Sequence, residues 1–304
     1  MTCSLENNSR KYQSIYLTGG TGFIGTSILR DLQFEEISIH RKLEECKLQS
    51  EEIIIHLAGK AHDLRKASNP EEYYQINTEL TKKVFDAFLS SEAKVFITLS
   101  SVKAVADEVL GELTEEYNPN PITYYGKSKL LAEQYILSKN IPTGKRVYIL
   151  RPCMIHGPGN KGNLNLLYKL ASQGIPWPLG AFENKRSFCS IDNLMFIFKE
   201  LIERKDIPSG VYNVADDTPL STNEVISILA ESQNRKPRIW NISKGVIEIG
   251  AKFGNFLKLP LNEERLHKLT GSYVVSNKKL MNYIGKPLPV SSREGLYKTF
   301  QSFQ

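Results

Sequence analysis

The chain has 304 residues, 41% hydrophobic and 24% charged, an ordinary globular composition with room for one large α/β domain and a smaller lobe. Its net charge of +6 is spread along the sequence, and the best cluster, Lys60, His62, Arg65 and Lys66, is too short to argue for nucleic acid and suits a small phosphate-bearing molecule as well. Cys3, Cys46, Cys153 and Cys189 show neither disulfide density nor metal-ligand spacing, and no run of about 18 apolar residues could span a membrane. The polar start, Met1 to Lys11, lacks the apolar core of a signal peptide, so a reducing cytoplasm is the expected setting.

The first apolar run, Ile15 to Leu17, reads as a strand. It leads into Thr18-Gly19-Gly20-Thr21-Gly22-Phe23-Ile24-Gly25 and then a helical pattern over Phe23 to Leu32. Strand, glycine turn and helix in that order make a phosphate cradle. Gly19 allows the tight turn, Gly22 lets the backbone approach a pyrophosphate, and Gly25 lets the helix pack close to the strand. The spacing is G-x-x-G-x-x-G, and a glycine-rich corner without a ligand is the alternative reading.

Glu36 to His40 reads as the second strand. Glu52 to Gly59, with Ile53-Ile54-Ile55 ahead of His56, reads as a central strand buried on both faces. The dozen residues from Arg41 to Glu52 cannot hold a helix-strand-helix insertion. A helix is expected over Pro70 to Leu89, with Tyr74, Asn77, Thr81, Val84, Phe85 and Phe88 facing inward. A strand over Lys94 to Leu99 ends at Ser100-Ser101. A polar loop, Glu112 to Pro121, leads to Tyr124-Tyr125-Gly126-Lys127-Ser128-Lys129, which opens a long helix. Arg146 to Leu150 is the next strand.

After Arg151 the regular repeat stops. A helix is expected at Leu164 to Ala171, a return strand at Ser187 to Ile191, a helix from Leu194 to Arg204 and a short strand at Val211 to Val214. Ser221 and Glu224 form a capping-box pattern. This alternation predicts an α/β fold: a doubly wound parallel sheet of Rossmann type, shortened after strand two, with a smaller C-terminal lobe. The expected core is 12–155, with 187–216 returning to it. The expected lobe is 156–186 with 217–304.

Tyr125-x-x-x-Lys129 puts both side chains on one helix face. An unperturbed tyrosine titrates near pH ~10, and an ammonium beside it is expected to lower that pKa and make the phenol a usable acid/base. Tyr124 would have Ser128, not a lysine, four residues on, so Tyr125 is preferred. His40-Arg41-Lys42 follows strand two, where binders of NAD carry an acid; positive charge there favours NADP over NAD. A solvated basic connection is the other reading.

The glycine cradle, His56-Leu57-Ala58-Gly59, Asn77, Ser100-Ser101, Tyr125 with Lys129, Leu150-Arg151-Pro152, Gly157-Pro158-Gly159, Arg186-Ser187-Phe188 with Ile191-Asp192-Asn193, and Tyr212-Asn213-Val214 come in a telling order. The set resembles the extended short-chain dehydrogenase/reductase family, the NAD(P)-dependent epimerase/dehydratase group acting on nucleotide sugars. The resemblance implies Ser101, Tyr125 and Lys129 as the catalytic set. It implies Gly19, Gly22, Phe23, Ile24 and Gly25 at the pyrophosphate, and Leu57, Ala58 and Gly59 along the cofactor ribose. Asn77 would order the site, with helix packing as its alternative role. Arg41 would meet a 2′-phosphate, and Tyr125 and Lys129 would also touch the cofactor. Arg186 would pair with the nucleotide diphosphate. Asn163 and Lys161 are weaker substrate candidates, and no metal is expected.

The 4,6-dehydratases of that family carry an Asp-Glu pair after the hydroxyl residue. Val102-Lys103 stand here, which disfavours a dehydratase. Cys153-Met154 occupy a segment where many 4-epimerases have asparagine. The expectation is therefore a 4-epimerase or 4-keto reductase of a UDP-hexose in surface polysaccharide synthesis, homodimeric by resemblance. The rival is a non-catalytic Rossmann sensor or scaffold, suggested by the trimmed adenine side.

Overall fold

The computed structural model describes residues 12–32, 34–40, 52–60, 69–160, 163–257 and 263–304. In chain order, β1 (Tyr12–Thr18) runs into α1 (Phe23–Asp31), followed by β2 (Phe34–His40) and β3 (Ile53–His56). The next helix is continuous but not uniform. It passes from α2 (Pro70–Tyr73) through a π-helical turn (Tyr74–Glu79) to α3 (Leu80–Ser90). Then come β4 (Val95–Leu99), a 3-10 turn (Val102–Ala104), β5 (Glu112–Leu113), α4 (Tyr124–Leu137) and β6 (Arg146–Pro152). The remainder holds β7 (Met154–His156), α5 (Asn163–Ser172), β8 (Phe188–Ser190), α6 (Ile191–Glu203), β9 (Gly210–Val214) and α7 (Thr222–Ser232). It closes with α8 (Lys244–Leu257), α9 (Glu263–Thr270), β10 (Val274–Val275), α10 (Lys278–Ile284) and α11 (Ser292–Gln301).

The chain divides into two compact units. The first draws on stretches 1–107, 118–151 and 197–212, and the second on 108–117, 152–196 and 213–304. The first is built on a six-stranded sheet of order β2-β1-β3-β4-β6-β9. The pairs β1/β2, β1/β3, β3/β4 and β4/β6 are all parallel. The strand order reverses between β1 and β3, the point where a doubly wound sheet opens a crevice at its carboxyl edge. With only a dozen residues between β2 and β3, β2 is the outermost strand on its side among the described residues. Phe85 meets Phe96 edge-on and Phe88 packs tilted against both, between α3 and β4, with Ile54, Val147 and Ile149 around them. Strands β3 and β4 are buried throughout, as expected for a sheet covered on both faces.

Two sequence expectations are corrected. The π-helical turn, bonded i→i+5, holds more residues per turn than an α-helix, so the inward face shifts by a residue ahead of it: Tyr73 is buried and Tyr74 only half so. The strand expected at Ser187 to Ile191 forms at Phe188–Ser190, but it pairs with β7 in a separate two-stranded sheet. Its free backbone groups are met by Asp216, whose amide donates to the Phe188 carbonyl and whose carboxylate accepts from the Ser190 amide. β9 is the strand that joins the main sheet.

In the second unit, Leu164, Phe188, Val225, Ile228, Leu229, Leu296 and Phe300 form one core. A second gathers Trp177, Leu179, Ile226, Ile247, Ala251 and Leu266. Both capping-box serines, Ser221 on α7 and Ser291 on α11, accept from their N3 glutamate amides.

Candidate active site

The glycine turn sits at the carboxyl end of β1. Gly19 has φ +72, and a Cβ on Gly25 would lie 2.6 Å from the Gly20 Cα, so neither position accepts a side chain without movement. Gly22 caps α1 with no side-chain acceptor. The amides of Phe23 and Ile24 at that helix start are thus left for an outside acceptor, and the helix dipole makes an anion the natural one.

A buried polar relay ties this turn to its neighbours. The Ala58 amide donates to Thr18 Oγ1 at 3.1 Å, and Thr18 Oγ1 lies 2.7 Å from His56 Nδ1. His56 Nε2 is 2.9 Å from Thr81 Oγ1, which itself donates to the Asn77 carbonyl at 2.7 Å. Each hydroxyl has one proton to give. One assignment satisfies the whole chain: Thr18 donates to Nδ1, and His56 donates from Nε2. Burial, with the nearby Lys129 charge adding to it, drops the His56 pKa from 6.5 to about 3, so this imidazole is neutral. The sequence reading gave His56 no role. Its signal was a polar residue ending an otherwise apolar buried strand.

Asn77, fully buried on the π-helical turn, holds the segment after β3. Its Oδ1 accepts from the Lys60 amide at 2.8 Å and its Nδ2 donates to the Lys60 carbonyl at 3.1 Å. Nδ2 also reaches Ser128 Oγ at 3.0 Å. Asn77 therefore stands as an organiser of the Leu57-Ala58-Gly59 loop. A Cβ on Gly59 would sit 3.1 Å from both Asn77 Oδ1 and Lys129 Nζ.

Ser101 follows β4, and Thr123 caps α4 by accepting from the Gly126 amide. This start of α4 places Tyr125 and Lys129 one turn apart. Ser101 is close enough to Tyr125 to favour its phenolate, and Ser101 Oγ accepts from the Lys103 amide at 3.2 Å. Tyr124 is instead 52% exposed. Tyr73 meets the Tyr125 ring edge-on at 6.3 Å, and the Lys60 ammonium lies 5.6 Å from the Tyr73 ring centre. Lys129 is buried, and its Nζ donates to the Leu99 carbonyl at 2.9 Å.

The electrostatics differ from the sequence expectation. The Tyr125 pKa is raised above its ordinary 10.0, chiefly by burial; Ser101 opposes the rise and Tyr73 adds to it. Burial outweighs the lowering expected from the Lys129 ammonium, one of whose protons is donated to the Leu99 carbonyl. Lys129 itself falls from 10.5 to about 8 through burial, with Glu133 pulling the other way. Glu133 is in turn clasped by Arg151, at 3.0 Å from Nε and 2.5 Å from Nη2, a buried pair whose rupture would strand a charge. Ser100 Oγ is buried with no hydrogen-bond partner among the described residues.

Arg186, in the second unit, is half-buried and donates to the Lys268 carbonyl at 2.6 Å. Asn163 opens α5, with its side chain outside the description. Arg41, Lys42, Lys161, His62, Cys3 and Cys46 also lie outside the described residues. Among described residues, no cluster of three or more His, Cys, Asp or Glu could hold a metal.

The model of the NAD dependent epimerase/dehydratase family matches residues 15–215. The chain belongs to that family. It is 30% identical to the UDP-glucose 4-epimerase of Vibrio cholerae, over 96% of this chain and 95% of that protein. It is 25% identical to the N-acetyl-alpha-D-glucosaminyl-diphospho-ditrans,octacis-undecaprenol 4-epimerase of Escherichia coli O157:H7, over 73% of each. Among solved structures, UDP-glucuronic acid 4-epimerase from Bacillus cereus with NAD superposes with a TM-score of 0.71 at 19% identity, over 95% of this chain and 98% of that one. RMD from Pseudomonas aeruginosa with NADPH gives 0.71 at 21% identity, with the same coverage. These two show the fold.

The family's nicotinamide dinucleotide fits the residues present. Gly19, Gly20, Gly22 and Gly25 in the turn, the start of α1 without a side-chain cap, and Gly59 beside Lys129 and Asn77 leave backbone room for a diphosphate and a ribose.

Proposed function

We propose that this chain is an NAD(P)-dependent nucleotide-sugar enzyme acting at C4 of a UDP-hexose, as a 4-epimerase or a 4-keto reductase, in surface polysaccharide synthesis. The observation that carries the reading is Tyr125 on α4 one helical turn from buried Lys129, with Ser101, just after β4, favouring its phenolate. The Vibrio cholerae and Escherichia coli relatives are both named for epimerisation at C4.

When bound, the dinucleotide supplies the acceptor or donor of a hydride at C4. The chain's own residues handle the proton. Tyr125, held protonated at neutral pH by burial, is in the form that donates to a C4 oxygen; in the reverse direction its phenolate takes the 4-hydroxyl proton. Ser101 holds that oxygen beside the phenol and shares its developing charge. Lys129, mostly cationic at pH 7, favours the phenolate and reaches the nicotinamide ribose. The amides of Phe23 and Ile24 hold the pyrophosphate, Gly22 lets it approach while its own amide donates to the Gly19 carbonyl, and Leu57 to Gly59 follow the ribose. The His40-Arg41-Lys42 trio supports NADP over NAD. Stretches 156–186 and 217–304 serve as the substrate lobe, with Arg186 and Asn163 meeting the nucleotide. A cytoplasmic homodimer through the helices carrying Asn77 and Tyr125 fits the exposed Ile76 and Leu131.

The test is incubation with UDP-hexoses and their 4-keto derivatives in the presence of NAD, NADP or their reduced forms, with mass spectrometry of any copurifying dinucleotide. A C4-inverted or C4-reduced product is expected. Tight dinucleotide binding without turnover of any UDP-hexose would contradict the reading.

A further inference from the structure

Helix α8 is apolar on two opposite sides. Ile247 and Ala251, four residues apart, are buried in the core with Trp177, Leu179 and Ile226. Val246 and Ile249, three apart on another face, are 60% and 58% exposed. A helix in water normally keeps one apolar stripe, against its own core. The second stripe has no counterpart within the described unit.

The segment leading into the helix is largely exposed as well. Trp240 is 56% exposed, although its amide donates to the Trp177 carbonyl and its carbonyl accepts from the Gly180 amide. Arg235, Lys236, Arg238, Lys244 and Lys252 are all exposed, and Glu248 is the sole acid between residues 235 and 252. Arg235, Lys236 and Arg238 line a cleft of about 350 Å³ that reaches apolar Ile175 and Ile226. Ile226 belongs to the core that α8 covers, so cleft and helix flank the same part of the unit. The Arg235 and Arg238 guanidiniums each donate to a carbonyl at the cleft edge, at Ser172 and Gly174, which fixes the heads near its rim.

We propose that this face, α8 with the segment 235–243 that leads into it, docks on an anionic phospholipid bilayer. An exposed tryptophan, branched apolar side chains and a surround of Lys and Arg are the composition of an element lying in the interface plane. No described helix is long and apolar enough to cross a membrane, so docking is lateral. A second copy is a poorer occupant. A two-fold contact would bring this face against itself, with five cations against five and little acid to offset them.

The test is sedimentation of the full chain with vesicles of pure phosphatidylcholine, and with vesicles containing 30% phosphatidylglycerol, at low and high salt. Binding to the anionic vesicles, lost at high salt, is expected. Each neutralised cation should weaken it about five-fold, so the paired Arg235→Gln and Lys236→Gln change is expected to weaken it about twenty-five-fold. Val246→Ser with Ile249→Ser should weaken it further, with an unchanged circular-dichroism melt, since both residues are exposed. No binding to anionic vesicles at low salt would overturn the proposal. So would binding that survives all four substitutions, or self-association that these substitutions abolish while no vesicles bind.

Discussion

The carboxamide of Asn77 grips Lys60 at both ends of its backbone, accepting from its amide at 2.8 Å and donating to its carbonyl at 3.1 Å. This double contact fastens the Leu57–Gly59 loop to the π-helical turn. Asn77→Ala removes it and leaves buried backbone groups without partners. A loss of about 2–3 kcal/mol in stability is expected, with weaker dinucleotide binding; denaturant melts and fluorescence titration read the two. An unchanged melt would refute the latch.

The glycine turn separates two effects that sequence alone merges. A Cβ at Gly25 meets the backbone of Gly20 at 2.6 Å, whereas at Gly22 the nearest atom, the Gly19 carbonyl oxygen, is 3.3 Å away. Gly25→Ala should therefore destabilise the fold by about 1–3 kcal/mol. Gly22→Ala should leave the melt nearly intact and weaken NAD(P) binding by occupying the space of the pyrophosphate. Equal melts with equal affinities would argue against the cradle.

Buried Lys129 gives a stability profile with a definite sign. Its folded pKa, about 8, lies below its ordinary 10.5, so the unfolded chain binds more protons between those values and stability rises with pH across that window. Lys129→Met should stabilise by about 2 kcal/mol at pH 7, and the gain should vanish towards pH 10.5. The same variant should lose turnover. A gain that persists at high pH would mean the ammonium is better solvated than its surroundings suggest.

His56 acts in the acid range. Its folded pKa of about 3 lies below 6.5, so its contribution is full above pH 6.5 and is lost as pH falls towards 3. His56→Gln should flatten the acid limb of the stability curve across that range. Guanidinium melts at intervals of one pH unit would show it, and a parallel shift with no change in slope would contradict the neutral, buried imidazole.

Much of this was legible from the sequence because strand and helix periods differ and each run here is bounded by glycine, proline or a cap. The cradle and the central strands follow from spacing and order, whereas the Ser101, Tyr125 and Lys129 set was expected from the family resemblance. What spacing could not convey was three-dimensional competition. Lys129 sits at the right distance along the helix and donates one hydrogen bond to the Leu99 carbonyl, but burial dominates the Tyr125 pKa and raises it. The π-helical turn moved Tyr73 inward in place of Tyr74. The His56 relay joins residues from three separate segments, a link that no local pattern encodes.

The central claim is that Tyr125 moves the proton at C4. Its most direct test is Tyr125→Phe, assayed by proton NMR for conversion of UDP-hexoses and their 4-keto forms, with NAD(P) binding measured in parallel. The account predicts turnover reduced by at least about a hundred-fold with dinucleotide affinity retained. Conversion equal to that of the unsubstituted chain would contradict it.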